Sequence, residues 1–84
     1  MHEIGCVEDI VKIVKDRLRL NNVKGKVLNI KVCIAQLTEV SEENLRLWFG
    51  QLTMDTQLEG AELIIRQIPM PAGKNFFVES IEAE

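Results

Sequence analysis

Between Ile4 and Leu20 the residues Ile4, Val7, Val11, Val14 and Leu18 recur at alternating steps of three and four. That spacing puts them on one side of an α-helix. Ile10 and Ile13 widen the stripe beyond the narrow seam of a coiled coil, so the helix needs a broad apolar surface to lie on. A sheet supplies one. Glu8 and Asp9 fall early, and Lys15, Arg17 and Arg19 late, as the helix dipole favours. Asn21-Asn22 and Gly25 then end the helix. In a chain of 84 residues the sheet must come from the same small domain.

Val27 to Leu37 supplies its first strand, with Leu28, Ile30, Val32 and Ile34 alternating against Asn29, Lys31, Cys33 and Ala35. One face is therefore apolar and the other mixed. Ser41 is placed to cap a second helix, with Val40 and Leu45 in the positions of a hydrophobic staple. Leu45, Trp48, Phe49 and Leu52 share one face of that helix, with Trp48 as a core anchor, and it ends near Thr53. Asp55 to Gly60 reads as a polar loop. Ala61 to Ile68 is a second strand, with Leu63 and Ile65 on one face and Ile64, Arg66 and Ile68 on the other. Strand, helix and strand in succession imply a parallel pair joined by a right-handed crossover.

Pro69-Met70-Pro71-Ala72-Gly73 is a turn. Asn75 to Ile81 is a third strand led by Phe76 and Phe77, and the short link makes it antiparallel to the second. Glu82-Ala83-Glu84 is expected to fray. The fold class is thus α/β, of the two-layer α+β type: two helices packed on one face of a three-stranded mixed sheet, in a single domain over residues 1–84.

Charge and motif content exclude several functions. The net charge of −3 is spread along the chain with no basic stripe, which excludes nucleic acid as a partner. No apolar run approaches the roughly 20 residues of a membrane span, and no leader pattern is seen, so a cytoplasmic protein is expected. Cys6 and Cys33 lie in apolar stretches without C-x-x-C spacing and read as small buried hydrophobes. The chain has no G-x-S-x-G, no Gly-rich phosphate loop and no histidine pair. It is not expected to be an enzyme.

The single histidine is His2. A terminal amine, the backbone nitrogen after it and the imidazole of residue two can close linked chelate rings around one metal ion. An all-nitrogen tetragonal or square-planar site suits Ni(II) or Cu(II). Taken alone, His2 reads more simply as part of a solvated terminus.

Four stretches change that weighting: Met1-His2-Glu3-Ile4, Val32-Cys33-Ile34-Ala35-Gln36-Leu37 with Val40 after it, Glu59-Gly60-Ala61-Glu62-Leu63, and Val78-Glu79-Ser80-Ile81-Glu82. Together, and in this order, they resemble the HypA family of nickel-delivering accessory proteins in hydrogenase, and sometimes urease, maturation. The resemblance runs from Met1 to about Pro69 and again from about Phe76 to the end. It implies Ni(II) bound by the terminal amine of Met1, the imidazole of His2 and nearby backbone nitrogens, including that of Glu3. The Glu3 carboxylate either orients the imidazole or is an ordinary acidic residue opening a helix. The implied partners are a nickel-handling, HypB-like GTPase and a hydrogenase large-subunit precursor, with a homodimer possible.

The departures are equally specific. The family's zinc module, built on two C-x-x-C pairs, would fall between Pro69 and Phe76, where this chain has no cysteine. No zinc is expected, and Phe76 and Phe77 are expected to anchor the third strand instead. Ala35 stands where the family usually has glycine. The alternative is a zinc-less paralogue that serves as an interaction or dimerisation scaffold, against which the retained Met-His-Glu start argues.

Overall fold

The first helix, α1, spans Glu3–Leu20 and buries its stripe as its spacing predicts: Cys6, Val7, Ile10, Val11, Val14 and Leu18 are all buried. The computed structural model describes residues 3–35, 41–69 and 75–84, with the side chains of Glu3 and Ile4 outside that description. The helix stops at Asn22, whose φ of 55° is left-handed. The Asn22 amide donates to the Arg19 carbonyl at 3.1 Å and the Val23 amide to the Leu18 carbonyl at 2.9 Å. This paired bonding satisfies the last carbonyls of the helix, and Leu18 and Val23 both pack on the core beside it.

Three strands follow: β1 at Val27–Ala35, β2 at Glu62–Ile68 and β3 at Phe76–Ala83. Their order across the sheet is β2-β1-β3. β1 and β2 are parallel, from Asn29 opposite Glu62 to Ala35 opposite Ile68. β3 runs antiparallel to β2, as the short link predicts, but its hydrogen-bonded neighbour is β1, with Ile34 opposite Phe76 and Val27 opposite Ala83. The link 69–75 can reach about 23 Å when extended, at about 3.3 Å per residue. Crossing two strand spacings needs only about 10 Å. The most apolar strand thereby takes the centre, with both of its edges paired.

Two bulges set which residues enter the core. Between Val27 and Asn29 the β1–β3 register shifts, leaving Leu28 as an extra residue on β1. Side-chain parity flips there, so Val27 is buried and Leu28 is 44% exposed, contrary to the simple alternation. Ile30, Val32 and Ile34 face the core as predicted. A second shift, where Val78 and Ser80 pair with consecutive residues of β1, turns Ile81 and Ala83 inward beneath α1. Phe76 packs at the core margin, whereas Phe77 is on the other face and 37% exposed. Only one of the two phenylalanines is therefore an anchor.

The second helix, α2, spans Glu42–Leu52, and the Ser41 side chain accepts from the Asn44 amide at 3.3 Å as its N-cap. Val40, the other half of the expected staple, lies outside the described residues. Leu45 and Phe49 are buried and Leu52 packs beside them. Trp48 is not a core anchor. It lies about 60° round the helix from Leu45, at roughly 100° per residue, and is 38% exposed. Both helices pack together over the core face of the sheet.

The loop after α2 is less polar in fact than in composition. Leu58 is fully buried in the core and Thr53 is buried with it. The Thr53 hydroxyl donates to the Phe49 carbonyl at 2.7 Å, and the Thr56 hydroxyl to the Thr53 carbonyl at 2.6 Å. Gln57 ties this loop to the α1–β1 link: Nε2 donates to the carbonyls of Val23 (3.3 Å) and Gly25 (2.8 Å), and the Gln57 carbonyl accepts from the Val27 amide. The last residues do not fray. Glu82 and Ala83 belong to β3, and the Glu84 amide donates to the Lys26 carbonyl at 2.9 Å. Gly25 permits that approach, because a Cβ there would stand 2.6 Å from the Glu84 carbonyl oxygen.

Leu58→Ala is expected to cost about 2–5 kcal/mol in urea unfolding, while Leu28→Ala stays within about 0.5 kcal/mol of the parent. Equal losses would contradict the assigned bulge. A second expectation concerns Cys6. Burial first, and the negative charge of Asp9 second, push its thiol up. The folded chain therefore keeps a proton that the unfolded thiol releases above about pH 8.5. This contribution is fully present below that pH and is lost as pH rises through the raised native value. Above pH 8.5 the unfolding free energy should fall more steeply in the parent than in Cys6→Ala.

Candidate metal centre

Of the three predicted ligand residues, Met1 and His2 lie outside the described residues, and Glu3 opens α1. The fold determines where that opening sits. Near the end of α1, Arg17 Nη1 donates to the Val78 carbonyl of β3 at 3.1 Å. Leu18, Asn21 and Val23 then meet Ile81, Ala83 and Glu84 around a cleft. α1 therefore runs in the same direction as β3. Its first turn points toward the end of the sheet where β1 finishes at Ala35, β2 finishes at Ile68 and β3 begins at Phe76. The link between β2 and β3 leaves the sheet at that end, and of the expected Pro-Gly turn all but Pro69 lies outside the described residues.

The opening of α1 suits the backbone ligand asked of Glu3. The first amides of a helix have no acceptor within it, so the Glu3 nitrogen is not committed to a helical hydrogen bond. A deprotonated amide is an anion, and the positive end of the helix dipole favours one there. Glu8 and Asp9 add negative charge within the next two turns, which offsets the repulsion of a cation from the same dipole.

Cys6, one turn beyond Glu3, does not join the set. It is 1% exposed, packed in the apolar core, and burial first, with Asp9 second, raises its thiol. Cys33 is buried outside the main core, level with Arg66 on β2 and Phe77 on β3. Both cysteines are free, in agreement with their reading as small buried hydrophobes. Among the described residues, no three His, Cys, Asp or Glu side chains gather as a metal cluster. Sequence reading did not single out the contact of Arg17 with the Val78 carbonyl; its only signal was a basic position late in a helix.

Comparison with known proteins bears on this end of the chain directly. The family model described as "Hydrogenase/urease nickel incorporation, metallochaperone, hypA" matches residues 1–82. The protein named Hydrogenase maturation factor HypA from Lawsonia intracellularis is 37% identical over 70 residues, covering 83% of this chain and 58% of that protein. Its namesake from Desulfosudis oleivorans is 33% identical over 72 residues, covering 86% and 63%. The one from Desulfatibacillum aliphaticivorans is 33% identical over 82 residues, covering 96% and 63%. The chain thus spans about three fifths of the length of these relatives. The solution structure of the Ni metallochaperone HypA from Helicobacter pylori superposes with a TM-score of 0.78 at 13% identity, covering 99% of this chain and 97% of that one. That likeness is one of fold. A family of metallochaperones agrees with the expectation that the chain is not an enzyme. With the family model matched from the first residue almost to the last, this chain belongs to the HypA family.

Proposed function

We propose that the chain carries Ni(II) at its amino terminus and passes it on during maturation of a [NiFe]-hydrogenase or a urease. The observation that carries this reading is the family match from residue 1, which takes in Met1-His2-Glu3. The ligands are the amine of Met1, the imidazole of His2 and backbone nitrogens up to Glu3. Nickel is cargo and no bond of a substrate is made or broken. Release follows from the chemistry of the ligands: protons compete for both amine and imidazole, and an acceptor with better-placed donors can take the metal stepwise. The recipients are a HypB-like nickel-handling GTPase and the hydrogenase large-subunit precursor. No zinc is assigned to the link between β2 and β3, which holds no cysteine. Among the described residues no helix is long and apolar enough to cross a membrane, which is compatible with work in the cytoplasm.

Calorimetric titration of Ni(II) into untagged protein with its native Met1 is expected to give a near-stoichiometric site that disappears in His2→Ala. If the two titrate alike, the amino-terminal motif is a relic and the chain is better read as a partner-binding scaffold. Affinity should also fall with pH. The free amine has a pKa of about 7.7–8.0 and the free imidazole one of about 6.5. With the amine and imidazole alone, the dissociation constant should rise about tenfold per unit between those values and about a hundredfold per unit below both, and each backbone amide deprotonated on binding adds about a further tenfold per unit throughout. A flat profile between pH 8 and 6 would exclude the amine and imidazole as ligands.

A further inference from the structure

The cleft at the end of α1 remote from Glu3 has a volume of about 400 Å³. That falls in the range of small-molecule sites, which are mostly apolar and carry a few convergent polar groups. Its apolar wall comes from three segments: Leu18 of α1, Val23 of the link to β1 and Ile81 of β3. Leu18 is buried, whereas Val23 and Ile81 are only half-buried and leave apolar surface at the cleft.

Arg17, Asn21 and Glu84 share the rim, and each is anchored through a backbone group. Arg17 Nη1 donates to the Val78 carbonyl at 3.1 Å, which orients the guanidinium and leaves the donors on Nη2 and Nε. Asn21 Nδ2 donates to the Arg17 carbonyl at 2.8 Å, so its Oδ1 remains as an acceptor. The Glu84 amide donates to the Lys26 carbonyl at 2.9 Å, and its backbone lies against Gly25, which fixes where the side chain starts. A ligand therefore meets groups whose positions are largely set before it arrives, and that lowers the cost of binding.

The two charges on this rim are opposite, yet they do not meet. Among the described residues the ion pairs join Arg19 with Asp16, Arg46 with Glu42 and Arg66 with Glu79, and neither Arg17 nor Glu84 belongs to one. A simple anion placed on Arg17 would face the Glu84 carboxylate, and a simple cation placed on Glu84 would face the guanidinium. A ligand with both charges satisfies both. An α-amino acid carries them two bonds apart, and its carboxylate suits the paired donors of a guanidinium. Its ammonium has three donors to share between the Asn21 Oδ1 and Glu84, beside the negative end of the α1 dipole. The apolar wall then calls for an aliphatic side chain.

We propose that this cleft binds a free α-amino acid with an aliphatic side chain. The carboxylate rests on Arg17, the ammonium between Asn21 and Glu84, and the side chain against Leu18, Val23 and Ile81. The site lies at the opposite end of α1 from Glu3, so its occupancy is independent of nickel. Its test is run without metal, because an α-amino acid itself chelates Ni(II).

Addition of L-leucine to the metal-free, isotope-labelled chain is expected to give saturable NMR shifts at the Asn21 side-chain amide and at Val23 and Ile81, with a dissociation constant on the order of 1 mM. Isoamylamine lacks the carboxylate, isocaproate the ammonium and glycine the aliphatic chain. Each should bind more weakly than leucine by about tenfold or more. Arg17→Gln and Glu84→Lys should weaken leucine binding by a similar factor, whereas Arg19→Gln, outside the cleft, should bind like the parent. Circular dichroism confirms that each variant is folded, and the comparison of ligands needs no variant at all. Shifts that never saturate, analogues that bind as well as leucine, or a Glu84→Lys variant that binds like the parent would overturn the proposal.

Discussion

β1 is hydrogen-bonded along both of its edges, parallel to β2 and antiparallel to β3, and no other part of the sheet has that support. Its core-facing residues Ile30, Val32 and Ile34 lie under the helices and are almost wholly buried. A slip of one residue in either ladder would turn those side chains to the uncovered face. The burial of this strand therefore locks the register of both neighbours. The bulges do not disturb that lock. They adjust the ends of the strands, bringing Val27, Ile81 and Ala83 beneath α1 where a regular pleat would present Leu28 and Ser80.

Beyond the apolar core, one end of the domain is held by polar contacts. Gln57 bonds with three backbone groups between Val23 and Val27, and Thr53 and Thr56 organise the turn that carries Leu58 into the core. Glu84 adds a bond to Lys26. Each such hydrogen bond contributes on the order of 1 kcal/mol net. For a small domain that is an appreciable share of the total stability. These bonds join segments far apart in sequence, and both cysteines are free.

Both helices were legible from the spacing of their apolar residues, and the Ser41 cap from its side-chain chemistry. All three strands were legible too, but not which of them are neighbours. Strand order depends on contacts between distant segments, and a short link suggests a hairpin even where the chain passes over an intervening strand. Leu28 and Leu58 were misplaced for related reasons. A bulge leaves no mark in an alternating pattern, and one leucine among polar residues looks like loop until Thr53 and Gln57 are seen to fold the turn inward. Trp48 illustrates the limit of a helical stripe, whose margin is set by the neighbouring helix. At the candidate site, the donor chemistry of Met1-His2-Glu3 was readable, and the family match gave it weight. The contact of Arg17 with Val78, which marks the course of the helix that begins there, is a pairing that no local pattern announces.

α1 spans 18 residues, so at about 1.5 Å per residue its two ends are about 27 Å apart. The sutured end of the domain, where Gly25, Lys26 and Glu84 meet, is thus separated from Glu3 by nearly the full length of a rigid rod. The two ends of the molecule can therefore be addressed separately. A surface tether, a fluorophore or a fused protein attached beside Glu84 would sit about a helix length away from Glu3.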